Sequence, residues 1–389
     1  MTTDLIPATR AEALLALHDF IEGPVLHYAR LRNHIAERHA HVSRLSAAIA
    51  HRLVTEAEVL AAVLRVHKST TVEKFLQEVV WRSYWKGWLE LRPGVWRDFA
   101  DAAPTGGATA EQLSEGHSGC VAMDAFAREL VSTGYLHNHA RMWWASFWIH
   151  RSGLHWKDGA QFFFDHLLDA DAASNTLSWR WVAGLQTPGK TYLVRRSNLA
   201  SYWPDAPSQG LDQLDGDPRV DIPQDSARRS LQDMENLPEG PGDSAAGLIL
   251  HEEDLSLECG PLSEFRPVAV CLWKTPARSS VREAWLKRAS HDACARAEKH
   301  FQKNVAEIQL LDSLKDWVRA HDLRRIVMAA PSVGPVRDSL EPFLHWCGEC
   351  GVVVTRIRRR WDARVFPLAK AGFFPFWNGL RPRLPELVP

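Results

Sequence analysis

The sequence predicts an all-α domain followed by a small α/β, Rossmann-like domain. The first 205 residues carry apolar side chains at helical spacing, as in VTEAEVLAAVLRVH and VEKFLQEVVWRSYWKGWLEL. From residue 265 onward, the three short apolar runs VAVCLW, RRIVMAA and GVVVTRI alternate with helical stretches, which is typical of a parallel sheet. We therefore expect a helical domain over 1–205, an acidic flexible linker over 206–264 and a basic α/β domain over 265–389.

The formal net charge is −1, but acidic and basic residues are distributed unevenly along the chain. The 206–264 range has 14 acidic and three basic residues, whereas 265–389 has 12 acidic and 22 basic residues. Low hydrophobicity with high net charge favours disorder, and this predicts the linker. The run IRRRWDAR at 357–364 interleaves arginines with Trp361, which suits nucleic acid, an anionic cofactor or docking of the acidic linker.

Cysteine usage and the N-terminal residues bear on the compartment. The six cysteines have no scaffold-like spacing, which indicates reduced thiols and a cytoplasmic protein. Cys347 and Cys350 form one CxxC without a second pair, so we predict no metal site. The chain starts without a signal-like pattern, and no apolar stretch approaches about 18 residues, so no membrane partner is expected.

The densest group of polar residues in Trp-rich surroundings lies between residues 137 and 181. Asp169 and Asp171 flank one alanine, and Arg141 lies upstream. A buried carboxylate pair needs a cation or a strongly donating ligand. An arginine can hold one of these carboxylates or the edge of a flavin ring. The residues alone leave two alternatives open, a ligand site and a structural Arg–Asp network.

The order of several motifs is more specific than this cluster. TGYLHNHARM is followed by HWKDG and then by DADAASNTLSW, while EKFLQEVVWRSYW and HVSRLS stand upstream. This order resembles the FAD-binding core of DNA photolyases and cryptochromes over about residues 24–183. The resemblance implies that family's all-α FAD-binding domain and noncovalently bound FAD. Because it begins at residue 24, we expect neither the family's N-terminal antenna domain nor an antenna chromophore there.

The resemblance also implies cofactor-binding residues. Four consecutive residues match the turn that holds the pyrophosphate, and a tyrosine matches one that faces the flavin phosphates. An Arg–Asp pair matches the residues beside the isoalloxazine, a second Asp faces the imide side, and an Asn lies opposite flavin N5. An Asn there resembles photolyases and favours a reduced flavin, whereas plant cryptochromes carry an acid. The turn residues are Ser43, Arg44, Leu45 and Ser46, and the tyrosine is Tyr28. The Arg–Asp pair is Arg141 and Asp169, the second Asp is Asp171, and the Asn is Asn175.

Substrate and electron-transfer residues follow from the same resemblance. The pocket for a flipped cyclobutane pyrimidine dimer is matched by Glu78, Trp81, Asn138, Met142 and Trp181. Members that repair (6-4) lesions have a histidine acid in place of Met142, and methionine cannot transfer a proton, so (6-4) repair is disfavoured. Trp179 and Trp156 match the proximal and middle members of a tryptophan electron relay, while the distal member has no counterpart. We therefore expect Asn175, Trp179, Trp156 and Glu78 to be catalytic.

Together these matches predict a lyase that repairs cyclobutane pyrimidine dimers in damaged DNA, using FAD and blue light. Two alternatives stay open. The linker and the additional C-terminal domain would suit a cryptochrome-like photoreceptor that signals to a partner. The expected lack of an antenna domain and the incomplete tryptophan relay would suit a flavoprotein that acts without light.

Overall fold

The computed structural model describes residues 6–186, 190–219, 231–241 and 246–388. Its N-terminal part is helical, as predicted. A π-helical turn, Phe147–Arg151, continues the ninth helix. The helices are α1 (Arg10–Glu22), α2 (Pro24–Leu31), α3 (Ser46–Ala50), α4 (Glu56–Val66), α5 (Ser69–Glu90), α6 (Gly94–Ala100), α7 (Ala108–Ser114), α8 (Val121–Thr133), α9 (Asn138–Ser146), α10 (Trp156–His166), α11 (Ala172–Val182) and α12 (Arg196–Tyr202).

The C-terminal part contains a five-stranded parallel sheet in the order β3-β2-β1-β4-β5. This confirms the predicted fold class. Three expected strands are present, and β1 and β3 are additional. The elements are β1 (Gly247–His251), β2 (Val270–Trp273), α13 (Ser280–Phe301), β3 (Val305–Ile308), α14 (Leu311–Ala320), β4 (Arg325–Ala329), α15 (Pro335–Glu349), β5 (Val353–Ile357), α16 (Arg360–Val365), α17 (Phe373–Leu380) and α18 (Leu384–Leu387).

Local sequence signals explain where the central helices begin. Thr55 accepts a hydrogen bond from the Glu58 backbone N–H, and the Glu58 carboxylate accepts one from the Thr55 backbone N–H. This reciprocal capping box starts α4, and the sequence pattern predicts it. After a short connection the chain enters α5, 22 residues long, which packs against α2, α4, α11, α16 and α17. Helix α5 is therefore central to the fold, because it contacts helices from both the N-terminal and the C-terminal parts.

The helical part and the α/β part share one apolar core. One face of the sheet, with α13, belongs to the same buried cluster as α1, α4 and α5. The other face is covered by α14 and α15. In α13, Trp285 Nε1–H donates to the Pro7 carbonyl, 3.2 Å away. The two parts are thus joined by packed side chains as well as by the chain.

The C-terminal helices return to α5. Trp361 Nε1–H donates to Ser83 Oγ at 2.9 Å, and both side chains are buried. Gly87 permits this approach, because a Cβ at that position would lie 2.7 Å from the Phe366 Cα. Any side chain at residue 87 would therefore force the Phe366 backbone to shift, at a cost in stability.

The expectation of a flexible linker over 206–264 is wrong for most of the residues that the structure describes there. Residues 203–219 pack on the helical core, where Leu214 is fully buried. Strand β1, also inside the range, is the buried centre of the sheet. The acidic composition of the 206–264 range led to the wrong prediction of disorder. Carboxylates such as Asp254 are in fact compensated by buried arginines. Residues 220–230 and 242–245 of the range lie outside the described residues.

Residues 231–241, here called the strap, lie against the arginine-rich run. Glu235 pairs with Arg356 at 2.5 Å, and Glu239 pairs with Arg364 at 3.3 Å. The Arg358 N–H donates to the Pro238 carbonyl at 2.9 Å. These contacts are docking of acidic chain on the run, one of the three interpretations that its sequence allows. In the described part of the chain, no helix is both long and apolar enough to span a bilayer.

Candidate functional site

A cavity of about 390 Å³ lies between α2, α5, α9 and α11. The structure places in its wall all the residues expected to bind cofactor and all those expected to bind substrate. Trp179 also lines it, whereas Trp156 does not. The predicted residues in the wall are Tyr28, Ser43, Arg44, Leu45, Ser46, Glu78, Trp81, Asn138, Arg141, Met142, Asp169, Asp171, Asn175, Trp179 and Trp181.

One end of the cavity is formed by the turn Ser43–Ser46. Arg44 adopts a left-handed conformation with φ of 56°, which reverses the chain before α3. The Ser43 hydroxyl accepts from the Leu45 N–H at 3.4 Å, so the turn is closed locally. Hydroxyls and backbone amides at such a turn can bind an anion. Helix α3 has only five residues, so the turn itself must supply most of this binding.

Two cations hold Asp169 at the middle of the cavity. Arg141 Nη1 lies 3.0 Å from its Oδ2, and Arg82 Nη2 lies 4.0 Å from the same atom. Burial alone would raise the pKa of this carboxyl, but the nearby charges of Arg141 and Arg82 lower it. Asp169 is therefore a buried carboxylate with a negative charge.

Asp171 is bound in a similar way by different groups. Lys86 Nζ and Arg82 Nη1 each lie 3.3 Å from its Oδ2, and its Oδ1 accepts from the Ser174 N–H at 2.6 Å, which caps α11. Burial opposes ionisation, but Lys86, Arg82 and the hydrogen bonds from Ser174 outweigh it and lower the pKa of Asp171 to about 2. The carboxylate thus accepts hydrogen bonds at neutral pH.

Asn175 lies one turn into α11. Its Nδ2 donates to the Ala160 carbonyl at 2.8 Å, which fixes the amide plane. The carbonyl oxygen is then the group available to a ligand, so the side chain acts as an acceptor towards the cavity.

At the outer end, Glu78 and Trp81 stand one turn apart on α5. Arg32 Nη1 lies 2.8 Å from Glu78 Oε1, and Lys74 Nζ lies 3.7 Å away. Phe373 of α17 stacks on Trp81 with ring centroids 3.7 Å apart and an interplanar angle of 6°. One face of Trp81 is therefore covered by the C-terminal segment, which leaves the other face for a stacking ligand.

The opposite wall carries Trp181, which stacks on Tyr192 with ring centroids 5.4 Å apart. Tyr192 lies two residues after Lys190, in the segment between α11 and α12. Asn138 and Met142 occupy successive turns of α9 between the two tryptophans. Apolar faces with few polar groups are suited to a planar heterocycle.

The tryptophans around the cavity are arranged in two groups. Trp179 contacts Phe163 at 5.1 Å and Trp144 at 6.2 Å, centroid to centroid. Trp144 in turn lies 5.1 Å from Trp148. Trp156 instead stacks on Phe99 at 6.0 Å. Trp144 and Trp148 thus extend one group from Trp179, while Trp156 belongs to the other.

Sequence reasoning missed two cations, Arg82 and Lys86, which lie beside the acidic pair Asp169 and Asp171. Both follow Trp81 on α5, four residues apart, so they share one helix face. That spacing beside a matched motif is the signal that could have identified them. Their positive charge explains how two carboxylates remain buried within one wall.

These groups fit FAD. Hydroxyls and amides at Ser43–Ser46 suit its pyrophosphate, Arg141 and Asp169 suit the ring edge, and Asp171 and the Asn175 carbonyl are acceptors for ring N–H groups. Among the described residues, no group of three or more His, Cys, Asp or Glu side chains could hold a metal ion.

Comparisons with known proteins agree with this geometry. Residues 75–210 match the model of the FAD binding domain of DNA photolyase. The deoxyribodipyrimidine photo-lyase of Agrobacterium fabrum is 34% identical over 181 residues, which is 44% of this chain and 37% of that protein. The Escherichia coli enzyme of the same name is 27% identical over 198 residues, 48% of this chain and 41% of that protein.

Solved structures are similar over about half of the chain. A class III photolyase from Agrobacterium tumefaciens matches with 28% identity and a TM-score of 0.45, covering 51% of this chain and 43% of that one. A Synechocystis cryptochrome matches with 23% identity and a TM-score of 0.46, covering 50% and 43%. The chain spans less than half the length of the curated relatives that it matches. Residues 75–210 of this chain are thus similar to the FAD binding domain of DNA photolyase, and just under half of the chain is similar to deoxyribodipyrimidine photo-lyases.

Proposed function

We propose that this chain binds FAD in the cavity and acts as a photolyase-like lyase that splits cyclobutane pyrimidine dimers in damaged DNA under blue light. The observation that carries the proposal is that the cofactor-type and substrate-type residues line one continuous cavity. A reduced flavin bound there would supply, on excitation, the electron that opens the dimer. The protein's part is to orient both reactants and to exclude water.

The roles of the substrate-side residues follow from their chemistry. Trp81 and Trp181 offer aromatic faces for the two bases of a flipped dimer. Asn138 offers an amide, and Glu78, held by Arg32, offers carboxylate oxygens to base N–H groups. Met142 lines the same cavity and has no proton to transfer, which supports a cyclobutane dimer as substrate over a (6-4) lesion.

Charges near the cavity mouth support DNA as the polymer that carries the lesion. Lys190, Arg195 and Arg196 are exposed on the segment that packs on Trp181 through Tyr192. Basic side chains there can neutralise phosphates on either side of a flipped nucleotide. We expect this binding to weaken as salt concentration rises.

Dimer loss tests the proposed repair. Purified protein with FAD and a reductant is mixed with an oligonucleotide that carries one thymine dimer, and repair is followed by chromatography under blue light and in darkness. We expect loss only in the light, with a large decrease in rate for Trp81→Ala, which removes one stacking face. If FAD is bound and reduced but the light rate equals the dark rate, the repair proposal is wrong.

The strap favours a cryptochrome-like photoreceptor as second candidate. It is held on the basic run by pairs such as Glu239–Arg364, whose side chains are about half exposed. Exposed pairs contribute little stability, so a modest change could release the strap towards a partner. Limited proteolysis in darkness and under blue light distinguishes this function. Identical digestion of the 206–264 range in both conditions would exclude a light-driven release.

Relay mutants separate both candidates from a flavoprotein that acts without light. Trp156→Phe would slow light-driven reduction if Trp156 carries electrons, while Trp144→Phe tests the second group of tryptophans. Activity that persists in darkness in the Trp156 variant would instead identify the light-independent alternative.

A further inference from the structure

A buried amine connects the acidic wall of the cavity to the α/β part. Lys86 Nζ lies 3.3 Å from Asp171 Oδ2 and 3.4 Å from Ser332 Oγ, and its side chain is 5% exposed. Lysine is rarely buried without compensating charge. Lys86 therefore depends on both neighbours, one from each part of the molecule.

The groups around Lys86 keep it charged. Burial lowers the pKa of the amine, but Asp171, Glu253 and Glu56 raise it, with Arg52 opposing them, and the balance is a raised pKa. The site thus holds an ammonium at neutral pH. Its position decides how well the Asp171 charge is compensated.

Ser332 belongs to the loop between β4 and α15, residues 330–334, here called the β4–α15 loop. The Ser332 N–H donates to Glu253 Oε2 at 2.8 Å, and the Val333 N–H donates to Glu90 Oε1 at 2.8 Å. Glu90 lies one turn beyond Lys86 on α5. The helix therefore holds the loop at two successive turns.

The same loop touches α11 directly. Gly334 has φ of 155° and ψ of −172°, and a Cβ there would lie 2.9 Å from the Ala172 Cβ. Val333 is buried in the cluster that contains Leu177 and Trp179. The loop thus supports α11, on which Asn175 faces the cavity.

We propose that the β4–α15 loop is a structural part of the flavin site and acts through Lys86 as a positioning residue. Ser332 holds Lys86, Lys86 holds Asp171, and Asp171 both faces the cavity and caps α11. The α/β part would thereby tune the site without contacting the ligand. This inference rests on the proposed FAD site, and it deepens that proposal by assigning the α/β part a role in it.

FAD affinity and midpoint potential test the positioning role in the full chain. We expect Lys86→Met to weaken FAD binding about tenfold, since it removes one of two cations from Asp171. Reduced flavin should lose about tenfold more affinity than oxidised flavin, because the ammonium favours the added negative charge. That ratio lowers a two-electron midpoint potential by about 30 mV. Lys86→Arg should restore both values to near wild type.

Ser332→Ala tests the link to the α/β part. It should weaken FAD binding about threefold, and it should lower the midpoint potential by less than Lys86→Met does. The matched control is Lys299→Met, which removes an exposed lysine on α13 and should change neither. Unchanged affinity and potential in Lys86→Met, failure of arginine to restore them, or a silent Ser332→Ala would each overturn the proposal.

Hydrogen exchange in the flavin-free chain gives an independent readout. We expect faster exchange of the amides in the first turn of α11, at 172–175, in both Lys86→Met and Ser332→Ala. Unchanged exchange in both variants would contradict the support that we assign to the loop. If the wild type binds no FAD, the proposed function fails, while this measurement still decides whether the loop orders α11.

Discussion

Asp171→Asn isolates the charge of one carboxylate at the cavity. Asparagine keeps the shape and can still accept from the Ser174 N–H as the cap of α11. The variant leaves Lys86 without its closest anion, and Arg82 retains only the more distant Asp169. The change therefore tests electrostatics, with little effect on packing.

The expected magnitude follows from the pKa. Lowering it from the ordinary value of 3.8 to about 2 means that folding stabilises the ionised form by about 2 kcal/mol. Because the folded pKa lies below the unfolded pKa, this stability is present above about pH 4. It is lost as the pH falls towards 2, where aspartic acid and asparagine become electrostatically alike.

Urea unfolding of the two proteins from pH 7 to pH 3 measures this contribution. We expect the wild type to exceed Asp171→Asn by about 2 kcal/mol or more at pH 7, because the variant also leaves buried cations uncompensated. The gap should narrow below pH 4. Asp312→Asn, an exposed aspartate on α14, is the matched control and should not change stability. An equal gap at pH 7 and pH 3, or no gap at all, would refute the reasoning.

Two further substitutions test contacts between the parts. Gly87→Ala should destabilise the fold by about 1–3 kcal/mol, because the new Cβ would lie 2.7 Å from the Phe366 Cα. Gly348→Ala, in α15, has open space for its Cβ and should stabilise the fold by about 0.5–1 kcal/mol. Urea midpoints that move in the same direction for both would contradict this. Glu90→Gln removes the charge of a buried carboxylate that accepts a hydrogen bond from the Val333 N–H and pairs with Arg337. We expect the free energy of unfolding to fall by about 1–3 kcal/mol. The control Glu349→Gln, at an exposed position, should not change it. Equal thermal midpoints for these two variants would show that the Glu90 contacts contribute nothing.

The cofactor and substrate residues that the sequence analysis named line one cavity, and they could be named because they belong to ordered local motifs. Ser43–Ser46, Glu78, Asn138 and Asn175 each lie in a short segment whose order along the chain matches a known pattern. Helical periodicity then places the members of each segment on one face. The functions assigned to the individual residues remain predictions until the experiments above are done.

Long-range contacts could not be predicted in this way. Phe373 in the C-terminal helices contacts Trp81 on α5, and Ser332 in the α/β part contacts Lys86 on the same helix. No local periodicity encodes such pairs. Acidic composition was also misleading near β1, because composition cannot show that Asp254 meets Arg52 and Arg359 inside the protein.

The core shared by α5, α13 and the sheet has a consequence for how the molecule melts. Two domains joined only by a tether would unfold as separate units, each with its own heat-capacity peak. Here neither part can lose its packing without exposing apolar surface of the other, so unfolding should be cooperative across both. A chain ending at residue 205 would accordingly lose the surface against which α1, α4 and α5 are packed, and we expect it to lose the cavity as well.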